Sequence, residues 1–248
     1  MTAPMGVVLA AGKGTRMKSD LPKVLSQACG RPLVQYVIDA LRSAGVGQLV
    51  IVVGYRDDLV RDALSANRDI NFALQSEQLG TGHAVMMCRE QLAEHMGAVV
   101  VVAGDSPMLQ ASSIRTLLDE FQNTKPACIL GTLNHPTPKG LGRIVRTADG
   151  RFRKIVEEKD ATEAERLISE VNMSTYVFDG PLLLDALSHL SADNKQKEYY
   201  ITDLPAILLE RGLDVRALPV LQPIEALSVN TPEHLAEVEE ALRHQNSN

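Results

Sequence analysis

The stretch from Gly6 to Lys23, "GVVLAAGKGTRMKSDLPK", decides how this chain is read. An apolar run of strand length breaks into a turn at Gly12 and Gly14. Lys13, Arg16, Lys18 and Lys23 then follow. Glycines after a first parallel strand suit a loop whose backbone N–H groups turn inward toward phosphate. The Walker pattern fails, because no G-K-[ST] follows at the required spacing. The dinucleotide pattern G-x-G-x-x-G also fails, because its third position falls on Met17. The second strand ends in "VVGYRDD", with no acidic residue at its tip to hold a ribose. A cationic run can be a solvated basic turn. Here it follows directly on a strand's C-terminal end, where open α/β sheets bind ligands, and the expectation is a site for an anionic small molecule.

Outward from that stretch, short β-branched runs recur at 7–10, 49–53, 70–74, 99–103 and 128–133. Helical patterns lie between them. Leu33, Val37, Ala40 and Leu41 mark one face of a helix that opens near Pro32 and stops at Gly45. Ile114, Leu117, Leu118 and Phe121 mark another, with Ser112 or Ser113 as its cap. Apolar strands alternating with helices predict an α/β fold: a Rossmann-like mixed, mostly parallel sheet flanked by helices. From about Gly140 the pattern changes. "GRIVRTADGRFRKIVEEKD" reads as two strands joined by a turn at "ADG". An acidic helix is expected over 161–168, then the strand "MSTYVFDG", helices over 181–190 and 202–211, and a strand over 215–221. A last amphipathic helix carries Leu235, Val238 and Leu242. No Pro/Gly/Ser-rich linker or internal repeat interrupts the chain. One domain over 1–248 is expected, with a first part to about 135, a hairpin-bearing second lobe over about 136–230 and a final helix over about 231–245.

Composition narrows the function. At 248 residues with 45% hydrophobic content, the chain can bury a core without staples. A net charge of −6 argues against sequence-independent binding to nucleic acid or to anionic membrane. Cys29, Cys88 and Cys128 are far apart and odd in number, so no disulfide framework is implied, and the six histidines form no zinc spacing. No apolar stretch reaches transmembrane length and no signal-peptide core is present, so a cytoplasmic location is expected.

"LAAGKGTRM" followed by "LPK" resembles the signature of the sugar-1-phosphate nucleotidyltransferases, the pyrophosphorylases that make nucleotide sugars. Further matches are "QSEQLGTGHA" (75–84), "VVAGDSPML" (101–109), "GLGRIV" (140–145), "IVEEKDAT" (155–162), "NKQKEYYITD" (194–203) and "LSVNTPEHL" (227–235). The combination is most similar to the uridylyltransferase half of the bifunctional N-acetylglucosamine-1-phosphate uridylyltransferases, over nearly the whole chain. The resemblance implies attack by a sugar-1-phosphate oxygen on the α-phosphorus of UTP, with pyrophosphate released. Such a reaction needs positioning and charge neutralisation rather than a general base.

The roles that follow are those the resemblance implies. Leu9, Ala10, Ala11 and Gly12 set backbone against the nucleotide, and Gly14 lets the loop approach the phosphates. Arg16 holds the β- and γ-phosphates and Lys23 the phosphates at the reacting centre; Lys13 adds to the cradle, and Lys18 is solvated. Gln75, Gly80 and Thr81 recognise the base, with Ala103 and Gly104 beside it. Asp105 and Asn230 hold Mg²⁺; on sequence alone Asp105 could instead cap the turn before Pro107, Asn230 could cap the last helix, and Thr81 could cap its own. Gly142, Glu157 and Asn172 contact the acetylated sugar. Of Tyr199 and Tyr200, one walls the pocket and the other joins the core. The bifunctional relatives continue into a left-handed β-helix. No hexapeptide repeat occurs in this sequence, so neither acetyltransferase activity nor trimerisation through such a domain is expected of it. Another sugar-1-phosphate or dTTP, and a non-catalytic binding module, stand as alternatives.

Overall fold

A computed structural model describes residues 2–17 and 19–245. Lys18 lies outside the described residues. In chain order the elements are β1 (Met5–Leu9), the two-residue strands β2 (Gln27–Ala28) and β3 (Arg31–Pro32), α1 (Leu33–Ser43), β4 (Gln48–Val53), α2 (Asp57–Ala63) and β5 (Ile70–Leu74). There follow α3 (Thr81–Met86), α4 (Arg89–Ala93), β6 (Ala98–Ala103), α5 (Ala111–Thr124), β7 (Cys128–Asn134) and the hairpin of β8 (Gly142–Arg146) and β9 (Phe152–Val156). The chain continues through α6 (Glu163–Arg166), β10 (Glu170–Asp179), α7 (Gly180–Ala186), α8 (Leu204–Glu210), β11 (Val215–Leu218) and α9 (Pro232–Gln245).

The sheet runs β11-β7-β10-β6-β1-β4-β5, and the β8–β9 hairpin joins it through β10. β1 pairs in parallel with β4 and β6, and β4 with β5. β10 inserts antiparallel between β6 and β7, because the hairpin returns the chain in the opposite sense. The expected mixed, mostly parallel α/β fold is therefore what the chain adopts. Alternation of period two splits the apolar strand residues between two cores. Val7, Val50, Val101, Tyr176 and Phe178 face one, with α3, α4, α7 and α8. Val8, Ile51, Val100, Ile129 and Val177 face the other, with α1 and α5. Both faces are covered, which is why these strands read as continuous apolar runs rather than alternating ones.

Local differences from the sequence expectations have physical causes. The acidic helix is one turn, Glu163–Arg166, because Thr162 caps it in a reciprocal box with Glu165 and shuts out Ala161. The helix over 202–211 opens as a tight turn before α8, and the strand over 215–221 ends at Leu218. Ser112 and Ser113 do not cap α5, which begins at Ala111. Instead the buried carboxylate of Glu225 accepts from the Gln110 N–H at 3.0 Å and from the Ser113 hydroxyl at 2.6 Å. A negative charge from a distant segment thus serves the helix's positive end, a device no local pattern reveals.

Candidate active site

Leaving β1, the chain turns toward β4 and β5 on one side, while β6 lies on β1's other side. The C-terminal ends of β1 and β6 therefore flank a topological switch point, the crevice where open α/β sheets take their ligands. A cavity of about 440 Å³ opens there. Leu9, Ala10, Ala11 and Gly12 line it from the end of β1 and the loop after it, Gln75 and Gly80 from the loop after β5, Thr81 from the start of α3, and Ala103 and Asp105 from the end of β6. Lys23 and Asn172 complete this convergence. Among the described residues no acceptor takes the N–H groups of Ala11, Gly12, Lys13 or Gly14, so a run of backbone donors remains beside the cavity.

The cations gather at one edge. The Lys23 ammonium forms an ion pair with the Asp105 carboxylate and donates to Asn230 Oδ1 at 3.1 Å. Arg16 donates to the same Oδ1 at 2.9 Å. Neither Asp105 nor Asn230 is a bland cap: Thr231 accepts from the His234 N–H at the start of α9, leaving the Asn230 amide to face the cations. Asp105 and Asn230 are joined through the backbone as well, by the Val229 N–H donating to Asp105 O at 3.2 Å. Lys13 goes elsewhere, its ammonium resting over the Tyr55 ring at 5.2 Å.

Met17 gains a packing reason. Thr15–Met17 is a tight helical turn, and the Met17 side chain is buried with Leu33, Met108, Val238 and Leu242 beneath α9. An apolar anchor there pins the loop, so the third glycine of a dinucleotide fingerprint has no place.

At the far side, Gln75 is almost fully buried, with Nε2 3.0 Å from both Gly80 O and His83 Nδ1. Thr81 does not cap α3; its Oγ1 accepts from the Ile201 N–H at 3.0 Å, tying this loop to the second lobe. Gly104 stands behind the wall, its N–H bonded to Leu9 O at 2.9 Å. Gly142 lies opposite Asn172 in the β8–β10 pairing. Asn172 Nδ2 donates to the Tyr176 hydroxyl at 2.8 Å, and Glu157 Oε1 accepts from Thr202 at 3.0 Å. Burial pushes the Glu157 carboxyl above its ordinary range; the Thr202 bond opposes this, and Asp203, Asp160 and Glu198 reinforce it. Tyr200 is buried, whereas Tyr199 sits half-buried near the His83 ring; Glu198, not a tyrosine, reaches the cavity.

The match to the MobA-like NTP transferase domain runs over residues 6–203. The chain belongs to this NTP transferase family. The transferase is 42% identical over 238 residues to bifunctional protein GlmU of Streptococcus agalactiae serotype V, covering 96% of this chain and 51% of that protein. It is 44% identical, over the same shares, to bifunctional protein GlmU of Alkaliphilus oremlandii. The chain spans about half the length of the curated relatives it matches. Its fold is shared with a UDP-glucose pyrophosphorylase solved with UDP-glucose, at TM-score 0.78 and 17% identity, over 98% of this chain and 100% of that one. It is shared too with a putative glucose-1-phosphate thymidylyltransferase from Bacillus anthracis solved with sucrose, at TM-score 0.80 and 18% identity, over 97% and 96%. In the transferase, no helix of the described residues is long and apolar enough to cross a membrane.

Some cavity residues escaped the sequence reading. Met173 and Ser174 reach the cavity because β10 slips register against β7 between Asn172 and Tyr176, with Ser174 at φ +53°. A non-glycine residue in left-handed conformation carries no sequence signal. Gln78 and Leu141 lie inside the quoted motifs and could have been marked from them. Gly14, at φ +65°, faces Lys23 so closely that an added Cβ would lie 2.5 Å from the Lys23 Cβ. Gly14→Ala is expected to cost about 1–2 kcal/mol of stability from the left-handed backbone alone and to displace Lys23. Thermal denaturation with parallel kinetics checks this; unchanged Tm and kcat would remove the close approach as a constraint.

Proposed function

We propose that the transferase moves a uridylyl group from UTP to N-acetylglucosamine-1-phosphate, giving UDP-N-acetylglucosamine and pyrophosphate. The observation that carries this reading is the convergence of Lys23 and Arg16 on the Asp105 and Asn230 oxygens, beside a glycine loop at the switch point. A sugar-phosphate oxygen, anionic at neutral pH, attacks the α-phosphorus. The bond from that phosphorus to the bridging oxygen breaks, and pyrophosphate leaves with the oxygen. No proton has to move, so the chain's work is to hold two anionic reactants in line. The loop N–H groups and Arg16 take the triphosphate, and Lys23 neutralises charge at the reacting phosphates. Gln75, Gly80 and Thr81 meet the pyrimidine, with Ala103 and Gly104 beside it, while Gly142, Glu157 and Asn172 serve the sugar. A cytoplasmic location belongs to the same reading.

The metal assignment can be tested against the donor set. One ammonium already contacts both the Asp105 carboxylate and Asn230 Oδ1, so these hard oxygens lie within reach of a single cation. That set fits Mg²⁺, which takes few protein ligands and completes its shell with phosphate oxygens and water. Asp105 and Asn230 would hold Mg²⁺, which would supply charge neutralisation to the triphosphate.

Pyrophosphate release from a matrix of nucleoside triphosphates and sugar-1-phosphates tests the reading, with Mg²⁺ and with chelator. UTP with N-acetylglucosamine-1-phosphate should give the highest kcat/KM. Preference for glucose-1-phosphate or dTTP would redirect the assignment, and activity indifferent to chelator would sink the metal role. UTP binding with no pyrophosphate from any pair would indicate a non-catalytic module.

Glu157 gives a test with opposite signs. Its folded carboxyl lies above its unfolded value, so there is no penalty below pH 4.5, where both states are protonated. The penalty appears as pH rises through 4.5 toward the folded value and persists beyond it. Glu157→Gln is therefore expected to raise Tm at neutral pH, with the gain vanishing in acid, while raising KM for the sugar phosphate. Melting curves across pH, with steady-state kinetics, check both; a lower Tm at pH 7 contradicts the burial penalty.

A further inference from the structure

A primary amide has two N–H donors on one side and an acceptor oxygen on the other. Gln75 Nε2 lies 3.0 Å from Gly80 O and 3.0 Å from His83 Nδ1, so both donors are engaged within the protein. Turning the amide over would press Oε1 against the Gly80 carbonyl, acceptor to acceptor. Gly80 cannot move aside: its φ is +112°, and an added Cβ would lie 2.5 Å from Tyr199 O. The Gly82 N–H to Tyr199 O bond at 2.7 Å and the Tyr199 N–H to Leu79 O bond at 2.8 Å clamp the same segment. His83 is held within the first turn of α3. To accept from Gln75, its Nδ1 must be bare and its proton must sit on Nε2.

We infer that His83 is a specificity-positioning residue: its Nδ1 locks the Gln75 amide so that only an acceptor, Oε1, is offered to the base. The inference rests on the proposed reading, in which Gln75 meets the pyrimidine. A 4-oxo pyrimidine carries an N3–H and satisfies that oxygen. A 4-amino pyrimidine presents a bare N3 and leaves two acceptors opposed. Discrimination between UTP and CTP is thus set partly by a side chain that touches neither.

The test compares wild type, His83→Leu and His83→Asn by calorimetric binding of UTP and CTP and by kcat and KM for each. Asparagine is the conservative variant, because its Oδ1 can take the same amide N–H. His83→Leu should lose roughly tenfold in UTP-over-CTP preference, the penalty of an unmade buried hydrogen bond, mainly through KM, with kcat at saturating UTP within severalfold. His83→Asn should keep the preference. A folded His83→Leu protein with wild-type preference, or a His83→Asn protein that loses it equally, overturns the lock. Should leucine prevent folding, nitrogen-15 NMR of wild-type His83 decides, since a protonated Nδ1 is incompatible with it. Wild-type enzyme binding UTP and CTP alike would instead overturn the base assignment of Gln75, a separate result.

Discussion

Lys23→Ala is expected to lower kcat by roughly a hundredfold or more, the typical loss when one well-placed charge stabiliser is removed. Among the described residues the ammonium is the single group that reaches both Asp105 and Asn230, and it stands at the cavity wall. Without it, the carboxylate would face incoming phosphate with no ion-pair partner among the described residues, since Arg16 is bonded to Asn230. Lys23→Arg should not restore the rate, because a planar guanidinium cannot replace a compact ammonium held between Asp105 and Asn230. Some stability should be lost as well: the pair is largely buried, at 17% and 19% side-chain exposure, and the variant leaves the Asp105 carboxylate without its partner. Steady-state pyrophosphate release, with circular dichroism as the fold control, reads both. Near-normal kcat would remove Lys23 from the proposed chemistry.

Asp105→Asn is the second large effect, with a loss of roughly a hundredfold to a thousandfold. Asparagine keeps the shape and one carbonyl oxygen but removes the charge that balances Lys23 and would hold a divalent ion. The variant should also need a higher Mg²⁺ concentration for half-maximal rate, and that shift separates lost metal affinity from general damage. Backbone ties are untouched, since Val229 donates to the Asp105 carbonyl rather than the side chain. Equal Mg²⁺ dependence in variant and wild type would make Asp105 a partner of Lys23 alone.

The sequence was most legible where chemistry and local geometry coincide. The loop after β1, the apolar strands and the "ADG" hairpin are read from neighbouring residues, and the fold class follows from them. The insertion of β10 between β6 and β7 is set by pairing over long separations, for which periodicity carries no information. The same holds for Glu225 at the start of α5, because a trans cap leaves no mark in the helix it serves. Gly14 shows a middle case. A glycine in a loop suggests freedom of backbone, yet what it admits, the Lys23 stem, is visible only in space. Met17 ran the other way: an apparent departure from a nucleotide motif is the buried anchor of a different loop.

The segment from Glu225 to Asn230 is sewn to the loop after β6 by Ser113, Gln110 and the Asp105 carbonyl. Half of the oxygen pair therefore comes from chain more than a hundred residues downstream of the other half, and contacts of such span close slowly. In a refolding experiment, helical signal should recover first, while competence to release pyrophosphate lags behind it. Chain emerging in order during synthesis would likewise hold an unanchored glycine loop until Asn230 and the α9 face that packs on Met17 have followed it.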